Sequence, residues 1–137
     1  MLEIGLYEYL QGVTAVTNLV GTDVYFVRVP KGGSFPALVI HTIDSPPLAY
    51  TSDGTSNLED RRIQIDCISS VDQLDARSIA KVVKAALLDY TGTLPDGTVV
   101  HCTEYNGSSD LPYELGAKSY AFGTMLDFSL VIDEATS

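Results

Sequence analysis

The stretch Arg62-Ile63-Gln64-Ile65-Asp66-Cys67, running on into a helical segment at 73–88, decides the fold. Ile63, Ile65 and Cys67 alternate with Arg62, Gln64 and Asp66, so residues 60–69 predict a strand with one buried and one wet face. The period then changes. Leu74, Ile79, Val82, Val83, Ala86 and Leu87 recur at helical spacing and predict the packing face of a long helix. Ser70 with Gln73 fits a capping box at its start. Asp72 and Asp75 suit the positive end of the helix dipole, and Lys81 and Lys84 the negative end. The pattern stops near Tyr90 and Gly92.

Upstream, Leu2, Leu6, Tyr9, Leu10 and Val13 form one apolar stripe, which predicts a first helix. A short second helix starts near Thr14, with Val16, Leu19 and Val20 on one side. Gly21 is its stop, where a left-handed residue is wanted. Residues 24–27 predict a brief strand ending before Pro30. Lys31-Gly32-Gly33-Ser34 reads as a turn, and Pro36 delays the next strand to 37–43. Its near-continuous apolar run suits a strand covered on both faces or lying at an interface. Residues 44–59 form a long polar loop holding Ser45-Pro46-Pro47 and Ser52-Asp53-Gly54. A segment of that length without periodicity in a compact domain is commonly functional or disordered.

Downstream, Pro95-Asp96-Gly97 is a tight turn and 98–105 a strand. Residues 106–118 read as a second polar loop carrying Leu111-Pro112-Tyr113. The chain closes with a strand over 119–132, where Tyr120, Phe122, Leu126, Phe128, Leu130 and Ile132 hold period two. Residues 133–137 look like a short frayed tail. The order α-α-β-β-β-α-β-β predicts an α+β fold of two layers. It would be a mostly antiparallel or mixed sheet of about five strands, with helices packed on one face, in a single domain spanning 1–137.

The 137 residues carry 8 Lys and Arg against 18 Asp and Glu, a formal charge of −10. With 45% apolar and 19% charged residues, the composition is that of a folded chain and not a disordered one. The acidic balance argues against general nucleic-acid binding, which needs clustered Lys and Arg. No apolar run approaches the roughly 20 residues of a membrane-spanning helix. The start, MLEIGLYEYLQG, has no basic region ahead of an apolar one and does not read as a secretory signal, which points to a cytosol.

The motifs of common enzymes are missing: no Gly-rich phosphate loop, CxxC, HExxH or GxSxG occurs. His41 and His101 each lie inside a predicted strand, as do Cys67 and Cys102. Their spacing is not that of a zinc site, and Cys67 shares the core-facing side of its strand. The two thiols read as reduced core residues and not as a disulfide. Asp66 and Asp127 read as members of a solvated sheet face, with Asp66 within reach of Arg62 or a neighbour. The expectation is therefore no catalytic, cofactor or metal residue. Loop aromatics suit contacts with other chains instead. The candidates are Tyr50 and Asp53 in the first loop, and Leu111, Pro112 and Tyr113 in the second.

Taken together, the pattern resembles the phage tail-completion proteins, also called tail terminators, of long-tailed bacteriophages. The resemblance rests on the first helix, Asn18-Leu19-Val20-Gly21, Val24-Tyr25 and Phe35-Pro36-Ala37-Leu38-Val39-Ile40. It continues through Arg62-Ile63-Gln64-Ile65-Asp66-Cys67 with its long helix, and ends on Met125-Leu126-Asp127-Phe128-Ser129-Leu130. Many members carry an aromatic close to where Cys67 stands here. The resemblance implies a structural virion protein, assembled in the bacterial cytoplasm, that caps the tail tube as a ring at its head-proximal end. It implies a homo-oligomer, commonly a hexamer, that meets the tail-tube protein and a head-side connector, with DNA only passing through the lumen. No cofactor, membrane or turnover is expected. Two alternatives stand beside it: a head-completion or connector protein at the portal side, and a small α+β enzyme or binding module using His41 or His101.

Overall fold

The computed structural model describes residues 2–21, 24–26, 35–44, 58–116 and 119–133. Among the described residues, three helices, α1 (Leu2–Gly12), α2 (Thr14–Val20) and α3 (Gln73–Leu87), accompany six strands. These are β1 (Val24–Phe26), β2 (Ala37–Asp44), β3 (Leu58–Ser69), β4 (Gly92–Thr93), β5 (Val99–Gly116) and β6 (Ser119–Asp133). They form a single mixed sheet in the order β1-β2-β3-β6-β5-β4. Only β1 and β2 are parallel neighbours; the other neighbouring pairs are antiparallel. The α+β class and the helix-on-sheet layering match the sequence reading. β3 and β5 run in the same direction with β6 between them, so α3 lies on the connection between two strands split by a third.

The main core lies between the helices and one face of the sheet, and a smaller buried cluster, Val39 and Ile68 with Phe35, lies on the other. Leu38 and Ile40 of β2 align with Cys67 and Ile65 of β3, which in turn face Thr124 and Leu126 of β6. Ile63 pairs with Phe128. Onto this face pack Leu2, Leu6 and Leu10 of α1, Val16 and Val20 of α2, and Ile79, Val83 and Leu87 of α3, all in one buried cluster. Period two in the strands and periods three and four in the helices thus meet in the same interior. Tyr9 adds a polar tie, its hydroxyl donating to the Ala86 carbonyl at 2.9 Å. Glu3 accepts from the Thr42 hydroxyl at 2.6 Å and pins the start of α1 to β2. Gly5 sits where α1 crosses Leu94 and Asp96, and a methyl there would collide with the Asp96 carboxylate.

Several local expectations shift. Asp72, not Ser70, caps α3, its carboxylate accepting from the Asp75 amide at 2.7 Å. Gln73 is free of the expected capping box because it reaches across to the sheet. The α3 exit uses Asp89 in the left-handed region (φ 56°) ahead of Gly92. Gly21 holds its expected positive φ of 61° after α2. Leu74, expected on the packing face, is 68% exposed, since α3 turns Ala76, Ile79, Ala80 and Val83 inward instead. Residues 106–116, expected as part of a loop, are strand: β5 continues through them, hydrogen-bonded to β6 down to Gly116 opposite Ser119. Two bulges, at Tyr105/Gly107 and Glu114/Gly116, absorb the irregular composition that made the stretch look like a loop.

Candidate interaction surfaces

Three surfaces of the sheet and helix layer could do work. The first is the face of the sheet away from the helices. Arg62 forks onto Asp127, with Nε to Oδ1 at 3.1 Å and Nη2 to Oδ2 at 2.6 Å. Asn106 donates to the Ser129 hydroxyl at 2.7 Å beside it. One rung away, His41 Nε2 lies 3.0 Å from Asp66 Oδ2, and Gln64 donates to Asp66 Oδ1 at 2.8 Å. Asp66 and Asp127 are 4% and 8% exposed, so these are buried partners and not the solvated carboxylates the alternation suggested. The Arg62 hydrogen bonds hold the Asp127 carboxyl below the usual carboxylate range, against the opposing effect of burial. The bidentate fork fixes Arg62 across from β6, and the network ties β2, β3, β5 and β6 together laterally.

The same geometry bears on an enzyme reading. His41 is aligned in register with Gln64, which offers no nucleophile. Cys67 lies on the other face of the sheet, fully buried, and burial pushes its thiol pKa far up. Cys102 and His101 are exposed on β5. Among the described residues no group of three or more His, Cys, Asp or Glu could hold a metal ion. Among them, too, no helix is long and apolar enough to cross a membrane.

The second surface is a groove of about 620 Å³ between α2 and α3. Val13, Ala15, Val82, Ala85 and Ala86 line it, with Ser78 and Lys81 as its polar members. The sequence reading placed Val82 and Ala86 in the α3 core. They are half-buried, because the apolar arc of α3 is wider than the sheet and α2 can cover. That excess width is the signal that could have found the groove.

The third surface is the far end of the β5–β6 hairpin. β3 ends at Ser69 opposite Phe122, while β5 and β6 pair onward through Pro112–Phe122, Tyr113–Ala121 and Glu114–Tyr120 to Gly116–Ser119. Among the described residues this stretch is a two-stranded ribbon leaving a wider sheet. α3 reaches its root. Gln73 donates to Asp110 at 3.0 Å, to the Gly123 carbonyl at 2.8 Å and to the Thr124 hydroxyl at 3.0 Å, and Arg77 pairs with Asp110. Behind the root, Lys84 Nζ sits 4.1 Å from the Tyr105 ring centroid. Leu111, Pro112 and Tyr113 are therefore brought together on the ribbon backbone. Tyr50 and Asp53 lie outside the described residues.

This arrangement can be set beside known proteins. The family described as Tail completion protein gp17 matches residues 5–114. The chain belongs to that family. The match runs from within α1 to near the end of β5 and leaves out β6. Among solved structures, a chain from the "Virion of native gene transfer agent (GTA) particle" superposes with a TM-score of 0.69 at 20% identity, covering 97% of this chain and 95% of that one. At that identity the likeness is one of fold. No curated protein matches the chain by sequence. As a tail completion protein of this family, the chain is a structural protein of a phage-type tail.

Proposed function

We propose that this tail completion protein caps the finished tail tube as a hexameric ring at the head-proximal end of the virion. It joins the tube to a head-side connector, lets DNA pass through its lumen without holding it, and turns over no substrate. Membership in the family carries the reading. Two unlike surfaces, the groove on the helix layer and the ribbon, support it, because a closed ring needs a head-to-tail contact between different patches. Tyr50 and Asp53, and Leu111, Pro112 and Tyr113 on the ribbon, are proposed as contacts with neighbouring chains. The net charge of −10 would keep free subunits soluble and apart until the tube presents its end. Native mass spectrometry of the chain at high concentration, with cross-linking in assembled particles, tests this. Rings and cross-links to the tube subunit are expected. Monomer alone in both experiments, with no tube contact, would sink the proposal.

A further inference from the structure

The cations of this chain are unevenly placed. Of its 8 Lys and Arg, Arg77, Lys81 and Lys84 follow one another along α3 at spacings of four and three, so they share one side of the helix. All three line a cleft of about 240 Å³ between α3 and β5. The cleft opens on the helix side of the sheet, since Leu126 of the main core also lines it. Arg77 is matched by Asp110, and Lys84 lies over the Tyr105 ring. Lys81 is exposed and, among the described residues, has no ion-pair partner. Three cations against the one carboxylate of Asp110 leave the lining with an excess of positive charge, on a chain of net charge −10. The opposite sign gathers on the other face of the sheet. β3 and β6 pair Asp60 with Val131 and Leu58 with Asp133, which makes Asp60 and Asp133 diagonal neighbours on the face away from the helices. Diagonal side chains on paired strands stand roughly 7–8 Å apart. The arginines next along β3 are engaged elsewhere, Arg61 with Glu3 and Glu59 and Arg62 with Asp127. Among the described residues neither Asp60 nor Asp133 has a cationic partner, and both are half-buried. Each like-charged doublet therefore repels itself in the free subunit.

We infer that the α3–β5 cleft of one copy takes the Asp60–Asp133 doublet of a second copy of this chain, with Lys81 and Lys84 meeting the two carboxylates. The sheet lies between cleft and doublet, so the two cannot meet within one copy. Subunits of charge −10 repel on approach, and setting a cationic cleft against an acidic doublet offsets that repulsion at the contact itself. The two patches differ, so the contact is head-to-tail, and repetition with a fixed rotation closes a ring. The inference rests on the ring reading and names its interface.

The test is self-association of the full chain, followed by native mass spectrometry, with circular dichroism as the check on folding. Lys81→Glu with Lys84→Glu, and separately Asp60→Lys with Asp133→Lys, should each weaken ring formation about tenfold or more. Mixing the two double variants should restore rings in which they alternate one to one, because each cleft then meets a doublet of opposite sign. Should a reversal lose its fold, the neutral pairs Lys81→Gln with Lys84→Gln and Asp60→Asn with Asp133→Asn take its place. All four neutral changes together should then weaken assembly no more than either pair alone. Rings of parental strength from either altered pair, no recovery on mixing the folded reversals, or additive losses in the neutral set would overturn the interface while leaving the ring intact. A parent chain that forms no ring under any condition would overturn the ring reading and the interface with it.

Discussion

The two faces of the sheet solve the same problem by different physics. On the helix side, Ile63, Ile65, Cys67, Leu126 and Phe128 are stabilised by burial under α1, α2 and α3. On the other side, β2, β3, β5 and β6 are stitched by Arg62–Asp127, His41–Asp66–Gln64 and Asn106–Ser129, and among the described residues no helix lies over them. The apolar face derives its stability from area removed from water, which is nondirectional. The polar face derives its from directional bonds whose net value is modest and whose breakage leaves a buried carboxylate unpaired. The difference separates roles. One face carries the large apolar cluster, and the other joins a small one, Val39 and Ile68 with Phe35, to the polar bonds that tie the strands together.

The largest expected difference between the faces is kinetic. Cys102 should react with a thiol reagent at once. Cys67, at the centre of the covered face, should react slower by roughly 10³-fold or more, because its exposure takes global unfolding. Equal rates would mean the helix layer does not cover β3. In urea unfolding, Phe128→Ala should cost about 3–5 kcal/mol, as expected for truncating a fully buried aromatic. Asp127→Ala on the opposite face should cost less, about 1–2 kcal/mol, since Arg62 is half exposed and can turn to water. If the two losses were equal, the polar face would be core in its own right. Replacing the α3 cap, Asp72→Ala, should cost about 1 kcal/mol and leave both faces in place.

The contrast has a pH signature as well. The Asp127 carboxyl is held below its ordinary value by Arg62 in the folded state. Its contribution is therefore fully present above the unfolded carboxylate value of about 4 and is lost as pH falls through the lower folded value. Asp127→Asn should flatten that part of the stability-versus-pH curve below about pH 4 while leaving the curve near pH 7 parallel to the parent's. An unchanged acid limb would show that the fork contributes nothing to the fold.

Much of the covered face was legible because both of its periods are local. Ile63-Gln64-Ile65-Asp66-Cys67 and Leu126 to Ile132 alternate without a break, and Leu2, Leu6 and Leu10 mark α1. The other features depend on partners far along the chain. Asn106-Gly107-Ser108-Ser109-Asp110 has loop composition and becomes strand because β6 pairs with it and bulges take up the misfit. Asp66 and Asp127 follow the alternation correctly, but their burial comes from His41, Gln64, Arg62 and Asn106 on neighbouring strands. Two-residue β4 carries no pattern of its own. Leu111, Pro112 and Tyr113 were singled out by composition and fall on β5, while the groove needed the docking of α2 beside α3.

The central claim is that this chain completes a tail. The most direct measurement is electron microscopy of particles from cells whose copy of the gene has been deleted. The account predicts tails of unregulated length with bare head-proximal ends, lying beside filled heads, and restoration when the chain is supplied. Tails of normal length, or heads that leak DNA while tails finish normally, would contradict it; the leaking heads would move the protein to the portal side.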